Sequence, residues 1–254
     1  MLPQSRLWGL LIGALLAWGI GFADDVWTLR ARWKLMGQIS LGFLAVYFGF
    51  SIESIEGPFF QKMDLGFWAI PLSVLWIVGI INALNLIDGL DGLASGITLV
   101  ILITLSWLAH EMGKIELMLL MVVLIGSVVS FLSFNRPPAS IFMGDSGSYF
   151  LGYLVAILSI WVCEKSSGTV SLFPLIVLAV PIIDTTFSIF RRFLKGIPFY
   201  SADKDHLHHR LLSKGLTPTQ AVFILSGISI IYGSLALSAH YLPEFQTYVY
   251  LSGI

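Results

Sequence analysis

Charge is scarce in this chain. Lys, Arg, Asp and Glu make up 11% of its 254 residues against 57% hydrophobic residues, and mean hydropathy is +0.88. A soluble core of this composition could not be covered by a polar surface, so the bilayer has to act as solvent. No long polar segment interrupts the apolar runs, which excludes a separate soluble domain and leaves one integral domain over residues 1–254. Cysteine is nearly absent as well. The single Cys163 excludes an internal disulfide framework and any multi-cysteine metal site. No small-residue cleavage site follows the first apolar run, Leu7 to Phe22, which ends in Asp24-Asp25, so that run reads as a retained span.

What is present is a series of apolar stretches of the length that crosses about 30 Å of hydrocarbon. Candidate helices fall at about 7–23, 36–52, 66–84, 93–109, 115–134, 149–163, 170–190 and 221–242. The expected fold is therefore all-α and polytopic, with about eight transmembrane helices. The connecting segments alternate between two sides. One side collects ten of the fourteen basic residues, namely Arg30, Arg32, Lys34, Arg136, Arg191, Arg192, Lys195, Lys204, Arg210 and Lys214; the other has Arg6, Lys62, Lys114 and Lys165. Lys and Arg near span ends resist translocation, which assigns the richer side to the cytoplasm of a cell inner membrane. The acids divide more sharply: all six Glu and Asp64 fall outside, and the other eight Asp fall inside. Short carboxylates suit a hard cation held close to phosphate oxygens, so the chemistry is expected on the inner face.

Four segments there carry the chemistry-bearing residues. The first, GFADDVWTLRARWKLMGQ, ends a span in Asp24 and Asp25 and follows them with Arg30, Arg32 and Lys34. Adjacent carboxylates repel unless a positive group lies between them. Arg30 and Lys34 are spaced to share a helical face toward phosphate, although a plain stop-transfer flank accounts equally well for the basic residues. The second, NALNLIDGLDGLASG, places Asn82, Asn85 and Asp88 on one stripe of an otherwise apolar helix. Each needs protein or water, being costly against lipid. Asp91 follows between Gly89 and Gly92, which break the helix and let backbone approach a ligand.

The third, FNRPPASIFMGDSGSYFLG, opens with Asn135, passes Phe142 and sets Asp145 at a helix start among bare backbone amides. That arrangement can hold a metal and an anion, cap the helix, or do both. The fourth, VPIIDTTFSIFRRFLKGIPFYSADKDHLHHRLLSKGLT, carries Asp184 inside a span, then His206, His208, His209 and Arg210. An intramembrane carboxylate points to function. The histidines lack a further ligand to complete a zinc tetrahedron and stand beside a cation, so a phosphate or sugar contact is expected of them.

Together and in this order, the four segments resemble the polyprenyl-phosphate N-acetylhexosamine-1-phosphate transferase family, from about Gly21 to Leu216. The string DKDHLHHRLL is similar to the form found in members that use UDP-N-acetylglucosamine, and differs from the three consecutive histidines of the muramyl-pentapeptide branch. The resemblance implies an enzyme that transfers GlcNAc-1-phosphate, or a related sugar-1-phosphate, from a UDP-sugar to undecaprenyl phosphate. It implies Mg2+, with Mn2+ able to substitute, held by Asp145 and Asn85. It assigns catalytic positions to Asp24, Asp25, Lys34 and Asp88, with either Asp of the pair keeping the attacking phosphate deprotonated. Substrate contacts fall to Asn82, Asn135, Arg30, Arg32, Asp184 and the His206, His208, His209 and Arg210 group, and Asp91 and Phe142 match the uracil positions. The expected partners are the UDP-sugar, the polyprenyl phosphate and membrane lipid, with homodimer formation and no nucleic acid. Family members carry about ten or eleven spans, about two of them ahead of the first Asp pair, and those early spans are expected to be missing from this chain. Its end in apolar FQTYVYLSGI has the look of a further crossing cut short.

Two other classes remain in view. An ion-coupled transporter would place carboxylates near mid-membrane in paired repeats, and the sequence has no internal repeat. A non-catalytic scaffold related to such an enzyme would have no reason to keep every motif aspartate.

Overall fold

The structure, a computed structural model, describes residues 2–57, 60–166, 168–196 and 206–241. Asp203, Lys204, Asp205, Glu244 and the terminal FQTYVYLSGI lie outside the described residues. The chain is a helical membrane protein. Its helices are α1 (Gln4–Trp27), α2 (Ala31–Tyr47), α3 (Ala69–Ile87), α4 (Leu93–Glu111), α5 (Ile115–Asn135), α6 (Gly144–Cys163), α7 (Phe173–Val177), α8 (Ala179–Leu194), α9 (Leu207–Ser213) and α10 (Pro218–Tyr241). Among the described residues six are long and apolar enough to cross a membrane: α1, α3 with the 3₁₀ turn before it, α4, α5, α6 and α10.

The other two expected spans take different forms. The second is α2, at 17 residues shorter than the roughly 20 that cross hydrocarbon at full thickness. The seventh is divided: α7 ends at Val177, α8 begins at Ala179, and Leu178 between them leaves helical geometry. Pro181 lies in the first turn of α8, where its missing N–H is tolerated.

A small sheet is the feature that helical periodicity did not announce. Strands β1 (Ser54–Gly57), β2 (Phe60–Asp64), β3 (Glu164–Ser166) and β4 (Thr169–Ser171) pair in the order β2-β1-β4-β3, with β1 and β4 parallel and the two hairpins antiparallel. It closes the end of the bundle where α2, α3, α6 and α7 meet. The four basic residues expected on this side all find partners there. Arg6 pairs with Glu164, Lys62 with Asp64 and Lys165 with Glu56, while Lys114 Nζ donates to the carbonyls of Trp161, Val162 and Glu164 at the end of α6. An ammonium at a helix C-terminus satisfies orphan carbonyls and opposes the helix dipole.

α6 is the central rod, with fourteen of its twenty residues buried: Ser148, Tyr149 and the run from Gly152 to Cys163. Close packing on it depends on glycine. A Cβ at Gly13 would overlap the Tyr153 ring, one at Gly152 would meet the α3 backbone at Ile81, and one at Gly21 would overlap the Asp145 carbonyl. Tyr153 donates to the Gly9 carbonyl at 2.9 Å, locking α1 to α6. These contacts fix where the end of α1 stands relative to the start of α6, and the site is built there.

Candidate active site

At the end of the bundle opposite the sheet, α1 finishes, α2 begins, α3 finishes, α4 begins, α5 finishes and α6 begins. The four sequence segments meet at these helix ends. Lys34, in the first turn of α2, places its ammonium between Asp24 Oδ2 and Asp145 Oδ2, the latter at 3.2 Å. Asp24 is buried and its Oδ1 also accepts from the Leu29 amide at 2.7 Å. Asn85 Nδ2 donates to Asp145 Oδ1 at 2.8 Å and to Ser148 Oγ at 3.0 Å. Residues more than a hundred positions apart in the chain thus share one small polar volume.

Asp88 follows α3, its amide donating to the Asn85 carbonyl, and its carboxyl has no hydrogen bond or ion pair among the described residues. Burial first, then the nearby Asp145, Asp91 and Asp25 carboxylates, push its carboxyl up to about 7. Local negative charge therefore exceeds what Lys34 balances, and every acid oxygen involved is a hard donor. That donor set suits Mg2+, which takes one or two carboxylates and completes its shell with phosphate oxygens and water. Among the described residues no three His, Cys, Asp or Glu side chains stand together at metal-holding spacing, so a cation here would need substrate oxygens. Asn85 uses its amide nitrogen to orient Asp145, leaving Oδ1 as the atom that can meet a cation.

Several expected site residues turn inward to the protein. Asn135 is 2% exposed, and its Oδ1 accepts from the Gly92 amide and Ser95 Oγ while Nδ2 donates to the Ile141 carbonyl. It ties the start of α4 to the loop that carries Phe142. Asp91 Oδ2 accepts from the Ala139 amide at 3.0 Å in the same tie. Asn82 exchanges hydrogen bonds with Gln38 of α2 and donates to the Val78 carbonyl. Asp184, buried in α8, accepts from His206 Nδ1 at 2.9 Å and from the Leu207 amide at 2.7 Å, so it caps and docks α9.

His208 is buried against Gly89, where a Cβ would collide with its imidazole, and neither ring nitrogen has a hydrogen-bond partner among the described residues. Burial, with His209 beside it, lowers its pKa to about 4. His209 is half-buried and Arg210 exposed. Phe142, at 73% exposure, stands free at this end. Arg30 precedes α2 with extended backbone and an exposed side chain, so it does not share the inward face of Lys34. Arg32 is also exposed and lies over the Trp33 ring at 5.4 Å.

Gln38 and Ser148 are not among the residues expected from the sequence. Gln38 had a signal: one amide in the apolar run LMGQISLGF, one helical turn after Lys34 and so on the same face. Ser148 reads as an ordinary small residue of a helix start.

An apolar cavity of about 430 Å³ lies between α3, α8 and the sheet, lined among others by Leu75, Gly79, Ala83, Ile182 and Ile189. Its lining reaches Ala83, two residues before Asn85.

Fold and site together define a class: a helical membrane protein that gathers carboxylates, an amide and a lysine at one end of its bundle, beside an apolar groove. The chain belongs to glycosyl transferase family 4, whose model matches residues 7–163, from α1 to the end of α6. It is similar to a probable undecaprenyl-phosphate N-acetylglucosaminyl 1-phosphate transferase of Bacillus subtilis (strain 168), 42% identical over 236 residues, covering 92% of this chain and 66% of the relative. It is similar also to a decaprenyl-phosphate N-acetylglucosaminephosphotransferase of Mycobacterium leprae, 34% identical over 245 residues, covering 87% and 62%. A phospho-N-acetylmuramoyl-pentapeptide-transferase of Listeria innocua is 34% identical over 174 residues, covering 64% of this chain and 54% of the relative. The chain thus spans about two thirds of the length of the first two relatives.

Proposed function

We propose that this protein transfers a sugar-1-phosphate, with GlcNAc-1-phosphate as the first choice, from a UDP-sugar to undecaprenyl phosphate at the cytoplasmic face of the cell membrane. One observation carries the reading: Asp24, Lys34, Asn85 and Asp145 come from separate helices and meet within hydrogen-bonding distance at one helix-end cluster. The activities for which the relatives are named support the same reading, and those named for GlcNAc match more of the chain than the muramoyl-pentapeptide enzymes do.

In the reaction, an oxygen of the carrier phosphate attacks the β-phosphorus of the UDP-sugar. A P–O bond forms to the carrier, the bond to the bridging oxygen breaks, and UMP leaves with that electron pair. Two anions must be brought together, so positioning and charge neutralisation dominate the barrier. Lys34 orients the carrier phosphate, and Asp24 holds Lys34 in place while receiving any proton the phosphate carries. Asp145, aimed by Asn85, would hold Mg2+. That ion, when bound, neutralises charge on the diphosphate. Asp91 and Phe142 stand on loops tied together by Asn135, which suits the two sides of a nucleobase subsite. The apolar groove along α3 offers the isoprenoid a path out of water while its phosphate stays at the polar end.

The test is purified protein with undecaprenyl phosphate, Mg2+ and a panel of UDP-sugars, reading UMP release. Asp145→Asn is expected to lower turnover by about 10²-fold or more, the scale seen when a preorganised charge-stabilising group is lost. Turnover in that variant equal to wild type would end the metal assignment.

A further inference from the structure

The two adjacent aspartates at the end of α1 do different work. Resting on the transferase reading above, the geometry points to Asp25 as a positioning residue that seats the N-terminus of α6, and with it Asp145, without meeting substrate itself.

An α-helix begins with amide groups that have no partner inside the helix, and a side chain from the residue just before it normally supplies one. α6 cannot use that solution. Its preceding residue, Met143, has no polar side-chain atom to offer, sits in helical geometry and makes no cap. The cap comes from α1 instead. Asp25 Oδ1 accepts from the Asp145 amide at 2.8 Å, and Oδ2 accepts from the Ser146 amide at 2.9 Å and from Ser146 Oγ at 2.5 Å. A carboxylate at this point also meets the positive end of the helix dipole.

The surrounding backbone is shaped for the arrangement. Gly144 has φ +64°, and a Cβ there would stand 2.9 Å from Asp25 Oδ2, so glycine leaves the space that the carboxylate enters. Gly21, one helical turn before Asp25, lets α1 press against the Asp145 carbonyl. Three donors on one carboxylate use most of its accepting capacity on protein. Asp24 is different. Its carboxylate turns to Lys34 and stands beside that of Asp145, toward the place assigned to the reacting phosphates. Of the pair, Asp24 faces the reaction and Asp25 holds backbone.

The test compares wild type with Asp25→Asn and Ser146→Ala in the full chain, by kinetics and by amide hydrogen exchange over residues 144–148. The carboxamide turns an NH2 group against the donors of Ser146. Losing the cap is expected to speed exchange there, and to lower kcat/KM, by about tenfold each, while the pH dependence of kcat/KM keeps its wild-type shape. Ser146→Ala removes one of the three donors and is expected to act in the same direction by a smaller factor. Loss or displacement of the acid limb of the pH profile in Asp25→Asn would show Asp25 acting as a base and overturn the assignment; so would unchanged exchange at 144–148. If wild type released no UMP from any UDP-sugar, the transferase reading would fall, and the exchange measurement would still decide whether Asp25 caps α6.

Discussion

At the scale of a single residue, Asp88 ties stability to pH. Its carboxyl is raised from its ordinary value to about 7, chiefly by burial and then by Asp145, Asp91 and Asp25. A raised folded-state value means that the native protein holds a proton the unfolded chain has already released, so this group weakens the fold increasingly as pH climbs from its ordinary value toward 7. Asp88→Asn is therefore expected to raise the melting temperature in detergent by several degrees at pH 8 and to change it little at pH 4. The same variant should lower UMP release, which tests whether that cost is retained for catalysis. The amides show what is not legible at this scale. Asn82 and Asn135 announce themselves as polar groups on apolar helices that must find partners, and they do. Whether the partner is substrate or protein depends on Gln38, Ser95 and Ile141, which no local pattern connects to them.

At the scale of elements, the site depends on the close approach of α1 and α6. A valine at Gly21 would drive its side chain into the Asp145 carbonyl, and one at Gly152 into the α3 backbone. Each is expected to cost about 1–3 kcal/mol by overpacking. Gly21→Val should in addition abolish turnover, because it displaces the start of α6, whereas Gly152→Val should mainly lower stability; thermal unfolding and UMP release separate the two. α9 is held in another way, through Asp184 and through His208 against Gly89. His208 is neutral in the fold and its value is lowered to about 4, so the docking it supports is complete above its ordinary value of 6.5. That support weakens as pH falls from there toward 4. Protection of the 206–213 amides, measured against their intrinsic exchange rates at each pH, should fall across that window, and His208→Phe should remove that loss of protection.

Over the whole molecule, charge separates the two ends. Arg6, Lys62, Lys114 and Lys165 close the sheet end through carboxylates and carbonyls. At the other end Arg30, Arg32 and Arg210 remain exposed beside the site. If that end is cytoplasmic, a cysteine at Arg30 should react with an impermeant thiol reagent only in inside-out vesicles, and one at Lys62 only in right-side-out cells. Cys163 is buried and should stay silent in both. Reversed labelling would reverse the orientation. Hydropathy and the placing of basic residues were enough to establish a helical membrane protein and to gather the polar motifs on one side, because burying unpaired polar groups in lipid is costly wherever they occur. The division of the seventh span and the four-stranded sheet were not visible, since short strands and a one-residue break carry almost no periodicity. The separate tasks of Asp24 and Asp25 were equally hidden: adjacent residues of one type are alike in sequence, and only the packing of α1 on α6 turns one carboxylate toward Lys34 and the other toward the amides of Asp145 and Ser146.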